Sequence, residues 1–355
     1  VSQNILGMIG FSCYVLADSY FISIAKGADG LTALNLVMPL YSIIFSIGEM
    51  IGVGSAIRYA ISKIKKDADA DDYFWNALIW CILSSMLFVF AGIFFSADIM
   101  RVLGADEHIV AVGNNYTKIF MCFAPMFMCN YVTNAFVRND GAPGIAMSAT
   151  LFSSLFNIVF DYILMFPMNL GMEGAALATA LSPIIGMGIC SIHFFSKKSS
   201  VRLVVCKPSV RKLVAGSQLG VSAFVGEMSS AVITLAFNFV ILKLAGNVGV
   251  AAYGVVANIA IVTTAVFNGV AQGSQPLISS CFGRGDKDGC TQLKRMGYTT
   301  AFVLAAVMYS ILFIFAEQFV AVFNSEGSEM LRLYATEGVK LYFIGIFFAG
   351  INIVG

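Results

Sequence analysis

Long apolar stretches dominate this chain of 355 residues. A helix that crosses a bilayer needs about 20 apolar residues. The long runs lack polar alternation, which argues against membrane β-strands. Only 12% of the residues are charged, whereas a soluble domain carries about 25%. We therefore predict an all-α integral membrane protein with ten spans, at residues 1–24, 31–60, 73–96, 109–136, 144–168, 174–196, 213–245, 249–282, 296–316 and 330–355.

An internal repeat divides the chain into two related parts. Residues 1–71 align without a gap with residues 220–290, and the identities include Gly30/Gly249 and Gly54/Gly273. The first copy contains six spans, an even number that returns the chain to the same side, so the copies are parallel. We predict an N-terminal lobe (1–196), a basic linker (197–212) and a C-terminal lobe (213–355) around a central cavity. Counterparts of the fifth and sixth spans are absent from the second copy, and we expect a fragment of a twelve-span protein.

The basic residues predict the orientation of the chain. With the N-terminus in the cytoplasm, most basic residues fall on the cytoplasmic side, as the positive-inside rule requires. They are Arg58, Lys63, Lys65, Lys66, Arg138, Lys197, Lys198, Arg202, Lys207, Arg211, Lys212, Arg284, Lys287, Lys294 and Arg295.

Composition and motifs limit the classes of function. The net charge is +1, which indicates no nucleic-acid partner. The eight cysteines are scattered without a Cys-x-x-Cys pair and are interpreted as small apolar residues. Motifs of metalloproteases, serine hydrolases, P-loop proteins and Rossmann enzymes are missing. We expect a protein that is not an enzyme and that uses no cofactor.

A few carboxylates inside predicted spans are candidates for a functional role, because each costs about 2.5–3.5 kcal/mol there. They are Asp18, Glu49, Asp161 and Glu227. At 1.5 Å per residue, Asp18 in span 1, Asp161 in span 5 and Thr179 in span 6 reach a similar depth. Asn157 lies one turn from Asp161 on the same helix face. The sequence therefore predicts a cluster of oxygen donors within the first lobe.

Such a cluster suits a proton or a hard cation such as Na⁺. Two nearby carboxylates in an apolar pocket cannot both ionise cheaply, so we expect them to titrate as a unit. The repeat pairs Asp18 with Phe237, which indicates that a coupling ion binds in the first lobe. The alternative is that Asp18 and Asp161 only form hydrogen bonds between helices.

The remaining polar residues allow more than one interpretation. Glu227 is interpreted as a contact for a cationic substrate, as a second proton site or as a structural residue. Glu49 lies near the inner third of span 2, where we expect a solvated, snorkelling side chain rather than a coupling site. A further set of polar residues would either line a substrate cavity or form interhelical hydrogen bonds; it comprises Tyr14, Asn130, Asn134 and Ser154.

Several segments in order resemble the multidrug and toxic compound extrusion (MATE) family, closest to its bacterial branch coupled through the first lobe. These segments are Leu16-Ala17-Asp18-Ser19-Tyr20-Phe21, Arg138-Asn139-Asp140-Gly141-Ala142-Pro143, Asn157-Ile158-Val159-Phe160-Asp161 and Gly174-Ala175-Ala176-Leu177-Ala178-Thr179. The resemblance implies twelve spans and export of organic cations in exchange for H⁺ or Na⁺. It implies a cation site at Asp18, Asn157, Asp161 and Thr179, with the carbonyl group of Ala175, and a substrate cavity at Tyr14, Asn130, Asn134 and Ser154.

The expected partners are small organic cations and the lipid bilayer. We expect a monomer in the inner membrane of a bacterium. The alternative function is a flippase for lipid-linked saccharides, which similar two-lobed folds can support. An anionic headgroup would require Arg or Lys in the cavity, whereas the basic residues of this chain cluster at the helix ends.

Overall fold

A computed structural model describes residues 2–323 and 329–355 of the chain. Within these ranges, the side chains at 28, 235, 238, 239, 242, 246–248, 250, 251, 322 and 323 fall outside the described set. The described residues form helices and contain no strand, so the predicted all-α membrane fold is confirmed. The helices are α1 (Ser2–Ile64), α2 (Asp72–Val102), α3 (Glu107–Cys122), α4 (Ala124–Asn139), α5 (Pro143–Met165), α6 (Gly171–Phe194), α7 (Val210–Arg284), α8 (Lys287–Ile314), α9 (Ala316–Phe323), α10 (Glu329–Tyr342) and α11 (Ile346–Val354), with a 3-10 turn at Phe343–Gly345.

Eight segments of the described chain are long and apolar enough to cross a membrane, or nine when the bent pair α3 and α4 counts as one span. The two segments of α1, Ser2–Gly27 and Asp29–Ile64, count separately. The predicted seventh span, 213–245, belongs to α7 but includes side chains outside the described set. The number of ten spans therefore stays a prediction.

Glycine and proline mark the breaks within these helices. Gly27 separates the two segments of α1 with φ 59° and ψ −143°, a conformation that glycine adopts without a steric penalty. Helices α3 and α4 meet at 46°, and Pro125 lies in the first turn of α4. Because proline has no N–H group, it suits the start of a helix and ends the preceding one.

Each half of the chain has its own apolar core. One cluster of buried residues comes from α1–α6 and the linker and includes Ile22, Tyr116 and Phe136. A second cluster comes from α7–α11 and includes Phe267 and Phe343. We call α1–α6 the N-terminal lobe and α7–α11 the C-terminal lobe. The predicted boundaries at residues 196 and 213 remain predictions.

Residues 195–209 connect the lobes without a helix and bind along one end of the N-terminal lobe. Ser200 N donates to Asp140 Oδ2 at 2.9 Å, and Ser209 N donates to the amide oxygen of Asn76 at 2.9 Å. Asp140 is also 2.8 Å from Nε2 of His193, and both side chains are buried. These bonds fix the linker, and we call this end of the molecule the linker side.

Candidate cation site

Asp18 lies on the first segment of α1, where small residues allow that helix to approach α5. A Cβ atom added to Gly10 would lie 2.5 Å from Cδ2 of Leu151, and one added to Gly7 would contact the backbone of Met147 at 3.6 Å. Larger residues at these positions would separate α1 from α5. Asp18 follows two turns later with 6% of its surface exposed, so it is held inside the lobe.

Helix α6 approaches α5 equally closely beside Asp161. A Cβ atom on Gly174 would lie 2.8 Å from the carbonyl carbon of Leu164, so only glycine fits between the two backbones. Asn157 and Asp161 are one turn apart on α5, and both are fully buried. Thr179 of α6 is 2% exposed and faces Asn157. Ala175 is fully buried one turn before Thr179.

The Asn157 amide connects Asp161 to Thr179. Its orientation is assigned from the hydrogen bonds that it can form. Its Nδ2 then donates to Oδ2 of Asp161 at 3.0 Å, and its Oδ1 accepts from both Oγ1 and N of Thr179 at 3.2 Å. The amide therefore fixes one carboxylate oxygen of Asp161 and leaves the other oxygen free.

Two buried carboxylate oxygens lack hydrogen-bond partners within the described part of the chain: Oδ1 of Asp18 and Oδ1 of Asp161. The two carboxyl groups lie close enough to interact electrostatically. None of the ion pairs in the described residues includes either aspartate. A buried charge without a partner is strongly disfavoured. The geometry therefore suits a proton or a cation shared by the pair.

The predicted cluster is brought together: Asp18, Asn157, Asp161, Thr179 and Ala175 all lie buried at the junction of α1, α5 and α6. Its donor set consists of carboxylate, hydroxyl and amide oxygens, the ligands that hard cations prefer. The contacts place these residues together, and their role in binding an ion stays a prediction.

Sequence reasoning missed two tyrosines next to the acids. The hydroxyl groups of Tyr41 and Tyr116 are 2.5 Å apart and buried, and both interact electrostatically with Asp18. Tyr14, which was predicted to line the cavity, also interacts with Asp18 and Asp161. The sequence gives no signal for the first two, because their contact joins helices 75 residues apart.

The other predicted substrate contacts lie in different surroundings. Nδ2 of Asn134 donates to the Ala146 carbonyl group at 3.3 Å and to Thr150 Oγ1 at 3.2 Å, which ties α4 to α5. Ser154 is 4% exposed, and its hydroxyl group lacks a described partner, as does Oδ1 of Asn130. Contact of these three residues with substrate stays a prediction.

Glu49 and Glu227 come from different lobes and lie within electrostatic range of each other. Both side chains are half-buried, and their carboxyl groups interact electrostatically. Arg138 also acts on Glu49. Glu49 was expected to be a solvated, snorkelling side chain in the inner third of its span, but it is half-buried, with Glu227 and Arg138 within electrostatic range. The two acids lie in separate repeats, and no spacing along the chain pairs them.

Comparison with known proteins identifies the relatives of this chain. The MatE family model matches residues 4–163 and 223–355. The chain belongs to the MatE family. This confirms the resemblance predicted from the motifs around Asp18, Asp140, Asp161 and Thr179.

Curated relatives of this MatE chain include two bacterial proteins named multidrug export protein MepA. The protein from Staphylococcus aureus (strain MRSA252) is 27% identical over 327 residues, which cover 91% of this chain and 70% of the relative. The protein from Staphylococcus saprophyticus is 26% identical over 350 residues, which cover 95% of this chain and 76% of the relative.

Solved structures of the family share the fold. An outward-facing multidrug resistance MATE transporter of the MOP superfamily superposes with a TM-score of 0.88 at 22% identity, over 99% of this chain and 81% of the other. A MOP superfamily transporter from Pyrococcus furiosus, described as having a binding pocket of reverse polarity, gives a TM-score of 0.88 at 21% identity, with the same coverage.

Proposed function

We propose that this MatE chain exports organic cations and other drugs in exchange for H⁺ or Na⁺. The observation that carries the proposal is the pair of buried carboxylates, Asp18 and Asp161, each with an oxygen that lacks a partner among the described residues. The multidrug export relatives support the drug as the second substrate.

The coupling ion binds between the two aspartates in this proposal. Asp161 is held by Asn157, which in turn is held by Thr179, so the cation enters a site in which part of the ligand set is fixed in advance. Neutralising the pair removes the cost of two buried charges. Ion binding and drug binding favour different arrangements of the lobes, and by linkage each weakens the other.

The positive-inside rule supports a cytoplasmic linker side and a cytoplasmic N-terminus. Lys197, Lys198 and Arg202 lie in the connecting segment, and Lys212 follows in the first turn of α7. We place the protein in the inner membrane of a bacterium, where it acts as a monomer. Drug would then leave from the side opposite the linker.

Transport by purified protein in lipid vesicles tests the proposal. An imposed gradient of H⁺ or Na⁺ should drive ethidium across the membrane, and the variant Asp161→Asn should lose this response, because it keeps the shape of the side chain and removes its charge. Asp288→Asn is the matched control, since Asp288 is an exposed acid on α8. The proposal is contradicted if the rate of ethidium movement depends on neither gradient. It is also contradicted if Asp161→Asn responds to the gradient as wild type does.

A further inference from the structure

Two hydrogen bonds join the lobes near the linker side. Nη1 of Arg138, at the end of α4, donates to Oε1 of Gln272 on α7 at 2.7 Å. Nδ2 of the adjacent Asn139 donates to Oε1 of Gln275 at 3.3 Å. The two glutamines are three residues apart and therefore share one face of α7. We call these four residues the polar bridge.

Close backbone contacts also join α1 of the N-terminal lobe to α7 of the C-terminal lobe. A Cβ atom on Gly54 of α1 would collide with the carbonyl oxygen of Gly216 on α7, and one on Gly220 would collide with the carbonyl oxygen of Met50. Elsewhere along α7, a Cβ on Gly269 would lie 2.5 Å from Cα of Ile5. The lobes are therefore in direct contact here, and they must separate at these helices before this side can open.

Arg138 has an incomplete set of partners. Its side chain is 4% exposed, and its Nε has no hydrogen-bond partner in the described residues. A buried guanidinium group that loses Gln272 would be costly. The hydrogen bond to Gln272 therefore favours the arrangement in which the lobes are in contact.

We propose that the polar bridge is the gate of the linker side, and that Arg138 and Asn139 release Gln272 and Gln275 as the lobes separate. Arg138 is thus a positioning residue for the change of access, distinct from the proposed ion site at Asp18 and Asp161. The gate rests on the proposed transport function, because it has a role only if the lobes alternate.

Pulsed electron paramagnetic resonance measures the separation of the lobes without any drug. Spin labels are attached at Lys198→Cys and Lys287→Cys, two exposed positions in the linker and on α8, after the eight native cysteines are replaced. Gln272→Glu gives Arg138 a charged partner across the lobes and should raise the ratio of short to long distances by about tenfold. Gln272→Leu removes the acceptor and should lower that ratio.

A further variant makes the test specific. Gln292→Glu is the matched control, because it makes the same charge change at an exposed position on α8 and should leave the ratio at the wild-type value.

Opposite shifts from two substitutions at Gln272 cannot come from a general loss of folding. The gate is refuted if Gln272→Glu leaves the ratio unchanged, lowers it, or matches Gln292→Glu. Because the distance measurement needs no substrate, failure of the gate and failure of drug export are distinguishable. If only the gate fails, transport in vesicles still follows the ion gradient, but the substitutions at Gln272 leave the spin-label distances unchanged. If only drug export fails, those substitutions still shift the distances, but no gradient drives ethidium across the membrane.

Discussion

The two repeats carry side chains of opposite polarity at equivalent positions. In the N-terminal lobe, Asp18 is 6% exposed and interacts electrostatically with a second buried acid, Asp161. Its counterpart in the C-terminal lobe, Phe237, lies in an aromatic group, stacked on Tyr253 at 5.4 Å and edge-on to Tyr342 at 6.2 Å. This group lines a cavity of about 640 Å³. No charged residue is among the described residues that line it.

The difference shows that the repeated backbone does not determine the chemistry of a lobe. In one lobe, glycines bring three helices close enough for oxygen atoms to converge. In the other, the equivalent position holds a ring that excludes ions and leaves an apolar space. In the proposed function, the coupling ion therefore binds in the N-terminal lobe. Exchanging features between the lobes is therefore the direct way to challenge the account.

The largest effect is expected when an acid is placed in the aromatic group. Phe237→Asp introduces a carboxylate with no described acid or base lining the same cavity, so it should destabilise the protein by about 3 kcal/mol. Thermal unfolding in detergent measures the loss, and Phe237→Leu, which keeps the position apolar, should cost much less. Equal melting temperatures for the two variants would show that the C-terminal lobe tolerates charge as the N-terminal lobe does.

Separating α6 from α5 should have the next largest effect. Gly174→Leu forces a side chain against the backbone of Leu164, and overpacking of this kind costs about 2 kcal/mol. Cation affinity should fall with stability, because Thr179 moves away from Asn157. Gly188→Leu is the matched control on the same helix, since an added Cβ there meets nothing within 4 Å. Similar losses in the two variants would mean that close approach beside Asp161 is unimportant.

A smaller effect should follow from removing one hydroxyl group. Thr179→Val keeps the shape and the backbone N–H bond to Asn157 but loses the bond from Oγ1, which is worth about 1 kcal/mol, or roughly fivefold in cation affinity. Thr179→Ser retains the hydroxyl group and should bind cation nearly as well as wild type. Binding is measured by titration of the purified protein with Na⁺ or acid, and a weaker Ser variant than Val variant would contradict the assigned bond.

Much of the candidate ion site could be predicted, because it depends on local spacing. Helix rise places Asp18, Asp161 and Thr179 at one depth, and the four-residue interval places Asn157 beside Asp161. Acids are rare in apolar spans, so few candidates had to be considered. The structure then brings the selected residues together at the junction of α1, α5 and α6.

Contacts between distant helices could not be predicted in this way. One example is the contact between the hydroxyl groups of Tyr41 and Tyr116. Another is the electrostatic proximity of Glu49 and Glu227. Both depend on how helices rotate and pack, which spacing along one helix does not determine. The polar bridge was missed for the same reason. Arg138 was assigned to a helix end near the cytoplasm, where a solvated position is the ordinary expectation, but the C-terminal lobe buries it.

Ion release on drug binding tests the central claim most directly. Purified protein in weakly buffered solution is mixed with ethidium, and released H⁺ is followed with a pH indicator while displaced Na⁺ is followed with a radioactive tracer. The account predicts that wild type and Phe237→Leu release one of these ions, and that Asp18→Asn and Asp161→Asn release neither while still binding ethidium. Undiminished release from both aspartate variants would contradict the claim that these two carboxylates hold the coupling ion.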